Sequence, residues 1–188
     1  MGKSQLTAPR TDAGHQRRTI ELSATGHHTP IVESPLALHW LSEEDTLAFA
    51  QALAARPAIA DAFIALRGDL GAGKTTFVRH LLRALGVQGR IKSPTYAVVE
   101  PHEATAPGGA PMQSWHFDFY RFNDPREWED AGFRDLFASA GLKIAEWPDQ
   151  AAGLLPVPDL VIAIEVLGDD TRRVTVTPGT ARGRSLLP

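Results

Sequence analysis

The sequence predicts an α/β domain built on a mixed sheet, with a parallel core, antiparallel hairpin additions and helices on both faces. Three observations carry that reading. The segment Gly68-Asp69-Leu70-Gly71-Ala72-Gly73-Lys74-Thr75 fits G-x-x-x-x-G-K-[ST] at every fixed position, with an apolar strand pattern before it and an amphipathic helix pattern after it. Strand, glycine loop and helix in that order make the phosphate-binding unit of a P-loop NTPase-like fold. From Tyr96 onward the apolar residues recur at every second position, the period of a half-buried hairpin. A helix pattern at Pro125 to Ala138 then leads into an apolar run that ends at Trp147.

Taken in order, residues 1–34 hold Pro9, Gly14, Gly26 and Pro30 among many Ser, Thr and His, with no sustained apolar period. Such a stretch buries too little to offset its ordering entropy and is expected to be a disordered tail. Residues 35–180 are expected to form the P-loop domain and residues 181–188 a flexible C-terminus. Leu36 to Trp40 reads as a short strand. Ser42 with Asp45 three residues on resembles a capping box opening a helix that Pro57 stops, its apolar positions Leu47, Phe49, Ala50, Leu53 and Ala54 lying mainly on one face. Phe63 to Arg67 is the strand that feeds the loop. The helix after it turns Phe77, Val78, Leu81, Leu82 and Leu85 toward a core and is expected to end at Gly86. Tyr96 to Glu100 and Gln113 to Tyr120 read as the hairpin, joined by a loose Gly/Pro loop from about Glu103 to Pro111. Leu142 to Trp147, Leu160 to Leu167 and Arg173 to Thr177 complete the strands, with turn signals at Pro156, Pro158 and Gly168-Asp169-Asp170.

Composition narrows the function. The 188 residues contain no Cys, which removes disulfides, thiolate metal sites and cysteine nucleophiles. Any metal must be held by oxygen or imidazole. The formal charge of −3 argues against a broadly basic nucleic-acid surface. No run has the length of a membrane span and the start lacks a secretory apolar core, so a soluble, cytoplasmic protein without a membrane partner is expected.

The loop itself specifies chemistry. Glycines let successive backbone N–H groups curl around phosphate oxygens, Lys74 reaches the β and γ oxygens, and the Thr75 hydroxyl ligates Mg²⁺. Gly71, Ala72, Gly73, Lys74, Thr75 and Thr76 are therefore the expected nucleotide contacts. Hydrolysis needs in addition a metal-holding carboxylate and a group that orients water. Glu146 closes a strand, at the end where ligand chemistry gathers in open α/β sheets, and is the expected Mg²⁺ carboxylate in place of the usual Asp. Asp118 shares a strand face with His116 and Tyr120, opposite Trp115, Phe117 and Phe119. It is read as positioning or deprotonating water, with pairing to Arg121 or capping of a turn as the structural alternative. His116 and Tyr120 are read as ordinary hydrogen-bonded partners. Thr95, in Ser93-Pro94-Thr95, is a candidate switch residue, a role that plain turn chemistry explains equally well. Trp147 is assigned either to the nucleotide, to a docking surface or to packing. Arg172 and Arg173 are assigned either to phosphate or base or to an exposed hairpin pair.

Four motifs occur in order: G-D-L-G-A-G-K-T-T at Gly68 to Thr76, S-P-T-Y at Ser93 to Tyr96, H-F-D-F-Y-R at His116 to Arg121, and E-W-P at Glu146 to Pro148. The set closely resembles the TsaE family, the ATPase subunit of the bacterial machinery that makes threonylcarbamoyladenosine at position 37 of tRNA. The resemblance spans about residues 36–178. It implies a small ATPase, weakly active alone, that takes ATP and Mg²⁺, acts with TsaB and TsaD, and meets tRNA indirectly through that complex. Carried across by motif, Lys74 and Thr75 resemble the phosphate and Mg²⁺ ligands, Glu146 the second Mg²⁺ ligand and Asp118 the catalytic aspartate. Thr46 resembles a family position near the nucleotide. Tyr96, where Phe is common, the Gly/Pro-rich hairpin loop and the N-terminal extension depart from the pattern. A small-molecule kinase using the same loop is the alternative enzyme. A GTPase is a further reading, though the single Asn, Asn123, leaves no N-K-x-D guanine reader. A non-enzymatic reading has nucleotide occupancy merely ordering the region from Ser93 to Glu103 for a partner.

Overall fold

The computed structural model describes residues 34–94, 98–168 and 170–187. The expected N-terminal tail and the candidate switch Thr95 lie outside the described residues, apart from Ser34 at the end of the tail. Seven strands form one sheet: β1 Leu36–Trp40, β2 Phe63–Arg67, β3 Val99–Thr105, β4 Pro111–Asp118, β5 Leu142–Glu146, β6 Leu160–Val166 and β7 Arg172–Pro178, in the order β1-β7-β6-β2-β5-β4-β3. The pairs β6–β2, β2–β5 and β5–β4 are parallel, whereas β3, β7 and β1 join antiparallel. The parallel core is thus extended by antiparallel strands at both edges.

Each face is covered by helices. Helices α1 Glu43–Ala54 and α2 Lys74–Ala84 lie over a mainly aliphatic layer that includes Ile64, Leu66, Leu142, Ile144 and Ile162. Helices α3 Pro125–Asp130 and α4 Phe133–Ala138 cover an aromatic layer of Phe63, Phe117, Phe119, Trp128 and Phe133. Strand alternation alone separates the layers, since neighbours such as Ile64 and Ala65 point to opposite faces. At the start of α1, Asp45 Oδ2 accepts from the amides of Leu41 and Ser42 at 2.8 and 3.1 Å, the arrangement the sequence predicts. At the far end of α2, the amide of Val87 bonds the carbonyl of Leu82 at 3.0 Å while Gly86 sits at φ 85°, a left-handed stop.

Three expectations are revised. The helix foreseen from Pro125 to Ala138 is two helices, because Gly132 at φ 66° ends the first and starts the second. The loose loop between the hairpin strands is a tight tip, closed by Ala106 N–H on Ala110 O at 2.8 Å, and β3 runs on to Thr105, whose amide is tied to Leu85 O at 2.7 Å. Residues 181–188, expected to be flexible, carry helix α5 Ala181–Leu186, capped by Thr180 and ending on the buried Leu186. Its seat is Asp159, whose carboxylate accepts from the Thr180 hydroxyl and from Phe63 N–H, the latter at 2.9 Å. That long-range anchor has no local sequence signal.

Candidate functional site

The site is assembled where three parallel strands end. Leu66 pairs with Glu146 across β2 and β5, and Asp118 pairs with Glu146 across β4 and β5, so the phosphate loop and both carboxylates leave the sheet at one edge. Gly68 sits at φ 142°, and a Cβ there would lie 2.3 Å from the carbonyl oxygen of Ile164; only glycine lets the loop leave β2 so close to β6. The loop then delivers Lys74, Thr75 and Thr76 to the first turn of α2, where backbone N–H groups have no partner within the helix. Those amides and the positive end of the helix make an anion seat.

Lys74 is buried, its Nζ donating to the carbonyls of Gly68 at 2.6 Å and Asp69 at 2.9 Å. Burial pushes its ammonium below the usual lysine range, while the carboxylates of Glu146, Asp118 and Asp69 pull the other way. The Nζ also lies 3.9 Å from the ring centroid of Trp147. Trp147 takes a left-handed backbone at φ 57°, unusual for a bulky residue, and this turn at the end of β5 carries the indole back over the loop. Its ring meets that of Tyr120 at 5.0 Å. Of the assignments open for Trp147, the structure realises a half-buried ring stacked on the loop lysine.

Glu146 is 2% exposed, and Thr75 Oγ1 reaches its Oε1 and Oε2 at 2.9 and 3.0 Å. His116 Nε2 bonds the same carboxylate at 2.9 Å. Asp118 is half-buried; its Oδ1 accepts the amide of Tyr120 at 3.0 Å and its Oδ2 accepts the hydroxyl of Ser93. The turn-capping role foreseen as an alternative is therefore present, on a carboxylate that also lies close enough to Lys74 to raise the affinity of its ammonium for a proton.

Beside the loop lies a cavity of about 260 Å³ whose lining includes Trp40, Thr46, Ala72, Gly73, Thr76 and Arg172. Thr46 is buried on α1 and lines this space. Arg172 is brought here by β7, its Nε 3.4 Å from Ala72 O, but Arg173 is not. Successive residues on a strand point to opposite faces, and Arg173 forms an exposed pair with Glu165 at 3.0 Å. Three contacts escaped sequence reasoning. Trp40 is legible only as a strand residue, the Ser93 bond to Asp118 joins a loop to the end of β4 25 positions on, and His116 reads as an ordinary partner although its two-residue spacing from Asp118 places it on the same face.

The donor set discriminates among ions. No cluster of three His, Asp or Glu able to hold a metal occurs among the described residues. A cation beside Thr75 and Glu146 must draw its other ligands from phosphate and water, which suits Mg²⁺ and not the ions that favour imidazole or thiolate cages. The residues present fit a nucleotide with Mg²⁺. No described helix is long and apolar enough to cross a membrane.

Sheet order and loop define a P-loop NTPase-like protein. Residues 40–174 match the family model described as threonylcarbamoyl adenosine biosynthesis protein TsaE. Among similar proteins, the tRNA threonylcarbamoyladenosine biosynthesis protein TsaE of Haemophilus influenzae is 39% identical, over 65% of this chain and 73% of its own. The protein of the same name from Bacillus subtilis is 36% identical, over 74% and 85%. The crystal structure of Bacillus subtilis YdiB superposes with a TM-score of 0.60 at 29% identity, covering 82% of this chain and 93% of that one. The chain belongs to the TsaE family of tRNA threonylcarbamoyladenosine biosynthesis.

Proposed function

We propose that this chain hydrolyses ATP with Mg²⁺ to drive the TsaB–TsaD complex that forms N6-threonylcarbamoyladenosine at position 37 of tRNA. The observation that carries the reading is the meeting of Thr75 and Glu146 at 2.9 and 3.0 Å beside the buried Lys74. In phosphoryl transfer the protein supplies positioning and electrostatic stabilisation, and each of those groups has a place in it. Lys74 exchanges its two carbonyl partners for β and γ phosphate oxygens. Thr75 and Glu146 would hold Mg²⁺, which would supply neutralisation of charge on the phosphates. Asp118, pinned by Ser93 and by the amide of Tyr120, orients the attacking water or takes its proton. The amides of Gly71, Ala72, Gly73, Thr75 and Thr76 cradle the phosphates, and Thr46 and Arg172 line the cavity that takes the rest of the nucleotide.

Two measurements test this. Mg²⁺-dependent phosphate release is expected in the presence of TsaB and TsaD, and its absence there removes the hydrolytic role. Depletion of the protein is expected to lower threonylcarbamoyladenosine in bulk tRNA by mass spectrometry. An unchanged level in a cell with a single gene copy removes the assignment to the process.

A further inference from the structure

We infer that His116 is the positioning residue for Glu146: its ring takes one carboxylate oxygen and leaves the other for the divalent ion. The inference rests on the nucleotide reading above. His116 is fully buried on β4, one position pair away from Asp118 on the same face. Its Nε2 lies 2.9 Å from Glu146 Oε1. A carboxylate oxygen only accepts, so Nε2 carries the hydrogen of this bond.

The other ring nitrogen is the informative atom. Nδ1 of His116 is buried with no hydrogen-bond partner among the described residues, as are the hydroxyl of Ser114 and Nε2 of His102. The three belong to one strip: Ser114 precedes His116 by two on β4, and His102 stands opposite Ser114 on β3. Burying a polar atom unsatisfied is unfavourable, so a histidine kept for the fold alone would normally have both nitrogens engaged. Here the side chain has one engaged nitrogen, and that bond goes to a carboxylate of the site. The position holds His116 for what it does to Glu146.

The need for such a residue follows from the register. Asp118 and Glu146 are direct neighbours across β4 and β5, and like charges facing each other across a ladder repel. Hydrogen-bond donors meet both: Ser93 on Asp118, Thr75 and His116 on Glu146. The Thr75 hydroxyl has one hydrogen and lies almost equidistant from the two Glu146 oxygens, at 2.9 and 3.0 Å, so it cannot choose between them. His116 reaches Oε1 alone, which makes the carboxylate asymmetric.

The test uses the full-length protein with ADP and Mn²⁺, whose binding is read by electron paramagnetic resonance. His116→Phe keeps the ring and deletes the donor; it is expected to weaken Mn²⁺ binding in the ADP complex about 10–100-fold while ADP affinity in EDTA stays that of wild type. His116→Gln places an amide N–H near the position of Nε2 and is expected to restore most of the metal affinity. A His116→Phe protein that binds Mn²⁺ like wild type overturns the inference, and so does one that loses metal and metal-free ADP binding equally. In wild type, long-range ¹⁵N–¹H spectra of the imidazole are expected to show the proton on Nε2; a proton on Nδ1 alone overturns the inference even if the variants fail to fold. Wild type that binds neither ADP nor Mn²⁺ with ADP instead removes the nucleotide reading, and the ring tautomer still decides the His116–Glu146 bond.

Discussion

The aliphatic face of the sheet, under α1 and α2, and the aromatic face, under α3 and α4, differ in what is buried beside the hydrocarbon. On the aliphatic side lie Thr46, Lys74, Ser114, His116 and Glu146, all buried and two of them with atoms lacking a partner among the described residues. On the aromatic side the rings of Phe117, Phe119, Trp128, Phe133 and Phe137 pack edge-on or stacked at 4.7–6.3 Å, and Lys143, the buried polar group there, gives its ammonium to Ser139 O and lies 5.2 Å from the Trp115 ring. The aliphatic face therefore buries most of the polar groups beside its hydrocarbon, and the aromatic face is almost wholly apolar. Strand β4 serves both, alternating Trp115 and Phe117 on one side with Ser114, His116 and Asp118 on the other.

That division can be broken experimentally. The largest effect is expected from Phe117→Ala, which removes a fully buried ring touching Phe119, Phe133 and Phe137 and should cost about 3–5 kcal/mol in urea unfolding. Nucleotide affinity of the folded fraction should be unchanged. A stable Phe117→Ala protein with impaired binding would reverse the roles of the faces. Lys74→Ala is expected to weaken triphosphate binding by about 1.5–3 kcal/mol by titration calorimetry, since it deletes charge-assisted bonds. Glu146→Gln retains volume and neutral hydrogen bonding and should leave the melting temperature near wild type, while Mg²⁺-dependent phosphate release with TsaB and TsaD falls about 10–100-fold. Equal loss of stability and turnover would show that Glu146 serves packing.

Smaller effects sharpen the boundary. Arg172→Ala should reduce nucleotide affinity by about 0.5–1.5 kcal/mol, whereas the exposed Arg173→Ala should change neither affinity nor stability measurably. The smallest concerns Asp124, whose bonds from the Arg126 side chain and amide hold its carboxyl below the usual value of 3.8. A depressed carboxylate lends stability that is complete above its unfolded value and drains away as pH falls through its folded one. The start of α3 should therefore lose support only on acidification below 3.8, and Asp124→Ala should flatten that part of the melting-temperature profile.

How far the site could be foreseen depended on the range of each signal. The phosphate loop, the capping box at Ser42 and Asp45, the left-handed stop at Gly86 and the strands Leu36–Trp40 and Phe63–Arg67 are local patterns set by φ preference, hydrogen-bond reach and side-chain period. Glu146 and Asp118 were legible for the same reason, as carboxylates at strand ends. The split at Gly132 and the ordered C-terminal helix were not, because each depends on packing that a helix pattern or a polar tail does not announce.

By itself, the sequence determined which groups the glycine loop and the strand faces present, since spacing along one segment decides what each displays. Only the tertiary structure decided which of them meet. It joined Thr75 to Glu146 across 71 positions and Ser93 to Asp118 across 25, sent Arg172 to the cavity and Arg173 away from it, and gave His116 to Glu146. The reason is that sheet order and register, fixed by burial of both faces at once, set distances that no local period encodes.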